Sequence, residues 1–346
     1  MEVYIDKSNL CSFINARKDQ QYNDWFDDCN RMLKRQLDVK YNFSKKEILE
    51  NELLKNYFSL SGDGCGLSES DIFSLEMIPV RPIKSNSSNQ FDSEQHSAIF
   101  LIDDERTSVL QEKGTSLVGQ LGQEIETLKQ LFCGNDYDFH KLYNIQDPKS
   151  FPNWKQLSKD GVNLPLSDII IMDRYIGSQE DLMEYNLIKL IEVLVEKVHG
   201  EVNLVLFCNN TYSWNGKEIT PNWGQIRENI RKHLKQKIGI TSNVTIIFFS
   251  KTNKKNNNDN ANIDHDRIIF TNYMMYRSGD SFCYFDSKGR MISKGKSLDV
   301  NSLAKKSNYD FAMSFIEQAQ KLYNEIKQKD NSDLIIGDKK SNYITF

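Results

Sequence analysis

Four residues in the last third of the chain have types and a spacing that suit the handling of a phosphate group. His265, Arg267, Asn272 and Gly279 follow one another as His-x-Arg-x4-Asn-x6-Gly. A neutral imidazole is a good nucleophile, and a guanidinium offers a planar fork of donors to phosphate oxygens. An asparagine amide forms hydrogen bonds without carrying charge, and a glycine lets the backbone come close to a ligand. These residue types predict a site that binds an anion such as phosphate.

This spacing resembles the HxKx4Dx6GS signature of the phospholipase D-like phosphodiesterases. The resemblance implies that His265 attacks phosphorus and forms a phosphohistidine. It implies that Arg267 replaces the family lysine, which holds a phosphate oxygen, and that Asn272 replaces the family aspartate, which helps to set the state of the histidine. The change to asparagine removes a charge that would stabilise an imidazolium. The phosphate-binding residues predicted in this way are Arg267, Gly279 and Ser281.

The resemblance covers roughly residues 160 to 330 and implies a mixed sheet flanked by helices. Residues 167 to 176 are similar to the strand and turn that open such domains, with Asp173 at the end of the strand. Asp173 either caps the turn that follows or orients a neighbouring basic group. The family needs two motifs for each active site, and one copy is visible here, so an active form has to be a homodimer. No cofactor is expected at the His265 site.

Carboxylates near the N-terminus suggest a second chemistry. Asp6 ends the short strand predicted over residues 2 to 5, and this opening is similar to that of PIN-type nuclease domains over residues 1 to 110. Such sites gather carboxylates from strand ends because hard oxygen ligands hold Mg²⁺ or Mn²⁺. The metal ligands predicted in this way are Asp6, Glu50, Asp103 and Asp104. The alternative is that these acids only mark the ends of strands and helices.

The length and composition of the chain indicate an α/β protein of two domains. Its 346 residues exceed a typical single domain, and we expect an N-terminal α/β domain over 1–155, a phospholipase D-like domain over 156–330 and a polar tail over 331–346. The net charge of −4 disfavours a globally basic nucleic-acid binder but leaves room for a local basic groove. The scattered cysteines form no C-x-x-C pair, which favours a reducing cytoplasm. No membrane association is expected, and the abundance of Lys, Asn and Ile suggests a bacterial genome.

Hydrophobic patterning predicts the elements that must position these residues. Continuous apolar runs at 169–172, 202–208 and 244–249 predict strands that are buried on both faces, as in a parallel or mixed sheet. Helical spacing is found over 116–132 and 308–328. A basic amphipathic helix is predicted over 222–237, and its cations either line a phosphate-binding surface or form a solvated face. These cations are Arg227, Arg231, Lys232 and Lys235.

Two functional hypotheses follow from the sequence. One is an active phosphodiesterase or nuclease, which uses His265 in a homodimer or a metal held by Asp6. The other is a non-catalytic module that binds phosphate, nucleic acid or a protein partner within a larger complex, for which a bacterial anti-phage assembly is one setting. We favour the second, because the lysine and aspartate positions of the motif are changed and Asp280 stands where the family has a serine.

Overall fold

The computed structural model divides the chain into two compact units. The residues that it describes are 1–16, 23–35, 37–59, 78–80, 98–103, 107, 111–114, 116–119, 140–177, 182–214, 217–249, 267–292, 297–328 and 332–346. The first unit comprises Met1–Glu112, Ser116–Cys133 and Ala304–Lys306, and the second comprises Lys113–Thr115, Gly134–Leu303 and Ser307–Phe346. The chain therefore passes from the first unit to the second mainly between Cys133 and Gly134, whereas the sequence suggested a domain boundary near residue 155.

The first unit contains a parallel four-stranded sheet in the order β2-β1-β3-β4. Its strands are β1 (Glu2–Ile5), β2 (Asp38–Tyr41), β3 (Ile99–Leu101) and β4 (Leu117–Val118). Its helices are α1 (Lys7–Ala16), α2 (Asn23–Arg35), α3 (Lys45–Leu49) and α4 (Glu52–Ser59). Val3 to Ile5 are fully buried, as expected for a strand with neighbours on both sides. Ser44 and Glu47 form a capping box that starts α3, because each side chain bonds to the other residue's main-chain N–H.

The helix predicted from residue 116 is wrong at its beginning. Leu117 and Val118 form β4, which pairs with Ile99 and Phe100 of β3. Both leucine and valine are apolar, so a buried strand and the start of an amphipathic helix look alike over so few residues. Residues 120 to 132 of that predicted helix lie outside the described part of the chain.

The second unit is built on an eight-stranded mixed sheet in the order β14-β10-β7-β6-β11-β12-β13-β5. The strands of the second unit are β5 (His140–Asn144), β6 (Asp168–Met172), β7 (Glu201–Cys208), β8 (Tyr212–Trp214), β9 (Lys217–Ile219), β10 (Thr241–Phe248), β11 (Arg267–Thr271), β12 (Met274–Ser278), β13 (Ser297–Ser302) and β14 (Ile335–Gly337). Strands β6, β7 and β10 are parallel, and the other neighbours in this sheet are antiparallel. The prediction of buried strands in a mixed sheet is confirmed. A separate hairpin joins β8 to β9.

Helices cover the sheet of the second unit. They are α5 (Lys155–Lys159), α6 (Lys189–Leu194), α7 (Trp223–His233) and α8 (Lys306–Gln328), with π-helical turns at Glu184–Ile188 and Leu234–Ile238. Helix α8 packs Phe315, Ala319 and Leu322 against Ile170 and Phe270 of the sheet. No helix among the described residues has both the length and the apolar character needed to cross a bilayer.

The sequence suggested only a polar tail over residues 331–346, but part of this segment forms a strand of the large sheet. Strand β14 pairs with Thr245 to Ile247 of β10 in antiparallel register. Farther along, Asn342 donates to both carboxylate oxygens of Asp168, from its main chain (2.8 Å) and from its amide (2.6 Å). The buried Asp168 carboxylate and the open edge of β10 give this polar segment hydrogen-bonding partners, which composition alone cannot reveal.

Candidate functional site

Polar residues of the second unit meet at the end of β6, where Asp173 follows the strand directly. Asp173 is 1% exposed and accepts hydrogen bonds from the main chain of Tyr175 (2.9 Å), the hydroxyl of Ser281 (2.8 Å) and the main chain of Phe282 (2.8 Å). Burial raises the pKa of its carboxyl group, although these hydrogen bonds and the charge of Arg267 act to lower it. Asp173 therefore caps its own turn and ties it to the loop after β12.

Arg267 lies on the same face of the sheet as Asp173. Ile268 and Phe270 of β11 pack against α8, so alternation along the strand puts Arg267 on the opposite face. In the neighbouring β6, Met172 packs against α8 and the next residue, Asp173, falls on the other side. The guanidinium carbon of Arg267 is 5.8 Å from the centroid of the Tyr175 ring, in a cation–π contact.

Gly279 and Ser281 lie at the same edge as Arg267. Arg267 pairs with Ser278 across β11 and β12, so Gly279 follows directly after the partner of the arginine. A methyl group added to Gly279 would meet no other atom within 4 Å, which leaves open space beside it. Ser281 donates its hydroxyl hydrogen to Asp173. The three predicted phosphate-binding residues are thus brought together, whereas His265 lies outside the described residues.

Asn272 lies at the other end of β11 and is fully buried. Its Oδ1 accepts hydrogen bonds from the main-chain nitrogens of Ser167 (2.8 Å) and Asp168 (3.0 Å), and its Nδ2 donates to the Ser167 hydroxyl (3.1 Å). Five residues of strand separate Asn272 from Arg267, which corresponds to roughly 17 Å. The structure therefore does not bring Asn272 to the Arg267 site, and its amide instead holds the start of β6.

Two thiols and a phenol surround Asp173 and were not predicted from the sequence. Burial raises the pKa of Cys208 well above its ordinary value and that of Cys283 to about 12, with the Asp173 charge acting in the same direction. Burial also raises the pKa of Tyr212, which interacts electrostatically with both thiols. Neutral thiols are poor nucleophiles, so these groups do not supply one. They are far apart in the sequence, and no local pattern marks them.

Hydrogen bonds and an ion pair within the first unit engage the N-terminal acids that the structure describes. Asp6 caps α1, because its Oδ1 accepts from the main chain of Asn9 (2.8 Å), while its Oδ2 accepts from the main chain of Asp103 (2.5 Å). The carboxyl ends of β1 and β3 meet here, so Asp6 and Asp103 are brought together. Glu50 ends α3 and forms an exposed ion pair with Lys46 at 3.6 Å.

The described residues do not complete the predicted metal site. Among them, no three His, Cys, Asp or Glu side chains form a group that could hold a metal ion. Both oxygens of Asp6 already accept hydrogen bonds, which favours a capping role. Asp104, the fourth predicted ligand, lies outside the described residues.

Two of the four basic residues predicted on α7 have structural partners. Arg227 donates to the carbonyl of Val244 (2.9 Å) and forms an ion pair with Asp338 (2.6 Å). Arg231 forms an ion pair with Glu228 at 3.2 Å. Lys232 lines a groove beside the helix, and Lys235 is exposed outside it. These cations therefore do not form a single phosphate-binding surface.

No protein-family model matches the sequence, and no curated protein was found to be similar to it. The resemblance to phospholipase D-like enzymes accordingly rests on the motif and its spacing. The residues best placed to bind a ligand lie at the end of β6, where the structure brings together a cation, an exposed aromatic ring and a buried carboxylate.

Proposed function

We propose that the second unit is a degenerate, non-catalytic phospholipase D-like module that binds a phosphate group of nucleic acid at the end of β6. The observation that carries this proposal is that Arg267 lies over the Tyr175 ring and is close enough to Asp173 for its charge to act on that carboxyl group. An aromatic face and a buried carboxylate restrict the orientation of a guanidinium, and a pre-oriented guanidinium binds phosphate oxygens in a bidentate manner. Gly279 leaves space for the ligand at this edge.

The location of the cluster also supports a binding role. Asp173 follows β6, and Cys208 ends the parallel neighbour β7, so the cluster lies at the carboxyl ends of parallel strands. Ligands of open α/β sheets are commonly bound at this edge because loops from several strands converge there. Tyr175 has 44% of its surface exposed, and exposed aromatic rings provide stacking surfaces for unpaired bases. Single-stranded nucleic acid is therefore the favoured ligand.

A non-catalytic role is favoured by Asn272. The phosphohistidine mechanism places an acidic residue at this position of the motif, whereas Asn272 bonds to the main chain of Ser167 and Asp168. The carboxylate that interacts electrostatically with Arg267 is Asp173, which already accepts three hydrogen bonds. A carboxylate so engaged is poorly suited to stabilising a transient imidazolium.

Binding is tested with short fluorescent single-stranded RNA and DNA, by fluorescence anisotropy. Arg267→Ala is expected to weaken binding at least about tenfold, because a charged hydrogen bond contributes about 1.5–3 kcal/mol. The slope of log affinity against log salt should fall by about 0.7, the value for one phosphate contact on a single strand. The matched control is Arg277→Ala, since Arg277 also stacks on an aromatic ring (Phe311, 5.0 Å) but on the α8 face. Equal losses in the two variants would refute the site.

Catalysis is tested with the same oligonucleotides, with and without EDTA. We expect no cleavage in either condition. Cleavage that persists in EDTA and disappears in His265→Ala would replace this proposal with a histidine phosphodiesterase, and such a protein should be a homodimer. Cleavage that requires Mg²⁺ or Mn²⁺ and disappears in Asp6→Ala would move the chemistry to the first unit.

A further inference from the structure

A groove of the second unit runs between the π-helical turn Glu184–Ile188 and helix α7. It has a volume of about 320 Å³, within the range of small-molecule sites. Its floor is apolar, because Met183, Ile188 and Ile226 line it and are each less than 9% exposed. None of the residues at the end of β6 lines this groove, so it is a separate feature from the Arg267 site.

The wall that α7 contributes to the groove is rich in carboxamides. Asn222, Gln225 and Asn229 all line it, at intervals of three and four residues that place them on one side of the helix. The remaining carboxamide, Gln236, lies in the π-helical turn that continues α7. Amides present donors and acceptors without charge, and this feature separates the wall from an ordinary solvated face of lysine and glutamate.

Gln225 and Asn229 are joined in a defined orientation. The Nε2 of Gln225 donates to the Oδ1 of Asn229 at 2.7 Å. Among the described residues, this is the hydrogen bond that each of the two amide groups forms. The Oε1 acceptor of Gln225 and the Nδ2 donor of Asn229 therefore remain for a ligand. An acceptor and a donor on one wall match the amino group and a ring nitrogen of adenine, which are the atoms that carboxamide groups bind in nucleic acids.

Cations follow the amides along the same wall. Lys232 is three residues beyond Asn229, about 4.5 Å along the helix axis, and Lys237 lines the groove farther on. His233 also lines it, and its Nε2 lies 3.4 Å from Glu192, within ion-pair distance of that carboxylate. Glu184 on the opposite wall is the one acid among the lining residues, so the two lysines leave the lining positive.

We propose that this groove binds an adenine nucleotide. The adenine lies on the floor formed by Ile188 and Ile226, with its amino group donating to Gln225 and a ring nitrogen accepting from Asn229. The phosphate lies against the ammonium groups of Lys232 and Lys237. Along the groove, the apolar floor and the amide pair come before the lysines. This is the order of the base and the phosphate in an adenine nucleotide.

The proposal is tested by isothermal titration calorimetry of the full chain with adenosine 5′-monophosphate, adenosine and guanosine 5′-monophosphate. Adenosine monophosphate is expected to bind at least tenfold more tightly than either of the other two. The double variant Lys232→Ala with Lys237→Ala should lose this advantage over adenosine. Lys235→Ala is the matched control, because Lys235 belongs to the same turn but does not line the groove, and it should bind like the unaltered chain.

Asn229→Leu tests the base. It should reduce affinity for both adenosine and its monophosphate at least tenfold, with an unchanged helical signal by circular dichroism. Absence of measurable binding of adenosine monophosphate to the unaltered chain would overturn the proposal. Equal binding of the guanosine compound, or an equal effect of Lys235→Ala and the double variant, would overturn it as well. These outcomes do not involve Arg267, so they are distinguishable from failure of the nucleic-acid site.

Discussion

Replacing Asn272 with alanine should destabilise the second unit strongly without removing its ligand site. The amide of Asn272 is fully buried and accepts hydrogen bonds from two main-chain N–H groups, those of Ser167 and Asp168. A buried donor left without a partner costs about 1–3 kcal/mol, which applies to the buried Asp168 N–H. The partly buried Ser167 N–H adds a smaller loss. The combined loss is a substantial fraction of the free energy of unfolding of a typical domain, about 5–15 kcal/mol.

The assay is urea denaturation of Asn272→Ala followed by far-ultraviolet circular dichroism, with nucleic-acid binding measured where the variant is fully folded. Asn229→Ala is the control, because the side chain of this exposed asparagine forms one hydrogen bond with the residues that the structure describes, to Gln225. It should change stability by less than about 0.5 kcal/mol. Arg267→Ala should show the opposite behaviour, with weaker binding and little loss of stability.

Two results would refute the reasoning. If Asn272→Ala is as stable as the unaltered chain, the amide is not holding the start of β6. If the folded variant instead loses nucleic-acid binding as fully as Arg267→Ala does, Asn272 acts on the ligand site despite its position at the far end of β11. The second result would restore the role that the sequence motif suggested for this residue.

Three further predictions concern the segment 332–346 and the buried thiol of Cys208. Burial alone would raise the pKa of the Asp338 carboxyl group, but hydrogen bonds from Val244 and Arg227 outweigh burial and lower this pKa. The carboxylate therefore stabilises the fold at neutral pH, and this contribution is lost as the pH falls below about 4. Asp338→Asn should make the stability to urea depend less on pH in that range, and an unchanged pH profile would contradict the assignment. Gly337 has φ +121°, and an added Cβ would lie 2.0 Å from the Val244 carbonyl oxygen, whereas Gly239 has φ +85° and open space around it. Gly337→Ala should therefore accelerate limited proteolysis after residue 330 much more than Gly239→Ala does. Cys208 is fully buried, and its thiol pKa is raised well above the ordinary value. Mass spectrometry should therefore find Cys208 unalkylated by iodoacetamide at pH 8 until urea is added. Rapid labelling of Cys208 in the native chain would contradict this burial.

The sequence predicted the central strands of the second unit well because they are long and apolar. β6, β7 and the body of β10 are buried over most of their length, and runs of Ile, Val and Leu bounded by polar residues have few other interpretations. The edges were harder to predict. Strand β5 contains His140, Lys141 and Asn144, and such an edge strand lacks the apolar pattern by which a buried strand is predicted.

The candidate site was predictable only where it is local in sequence. Arg267, Gly279 and Ser281 were found through motif spacing, and the hairpin of β11 and β12 brings them to one edge. Asp173 was recognised as a strand end, but its bonds to Ser281 and Phe282 span more than a hundred residues. The spacing also suggested that Asn272 belongs with Arg267, whereas a five-residue strand carries the two to opposite ends.

The pairing of β14 with β10 has a consequence for synthesis of the chain. Strand β10 is complete at Phe248, but its partner begins at Ile335, so the ribosome must add more than eighty residues before this edge is covered. During that interval an apolar strand presents unpaired main-chain donors and acceptors, which are a template for pairing with another nascent molecule. Production of the protein should therefore depend on chaperones that bind emerging chains, and versions shortened before residue 335 should accumulate in inclusion bodies.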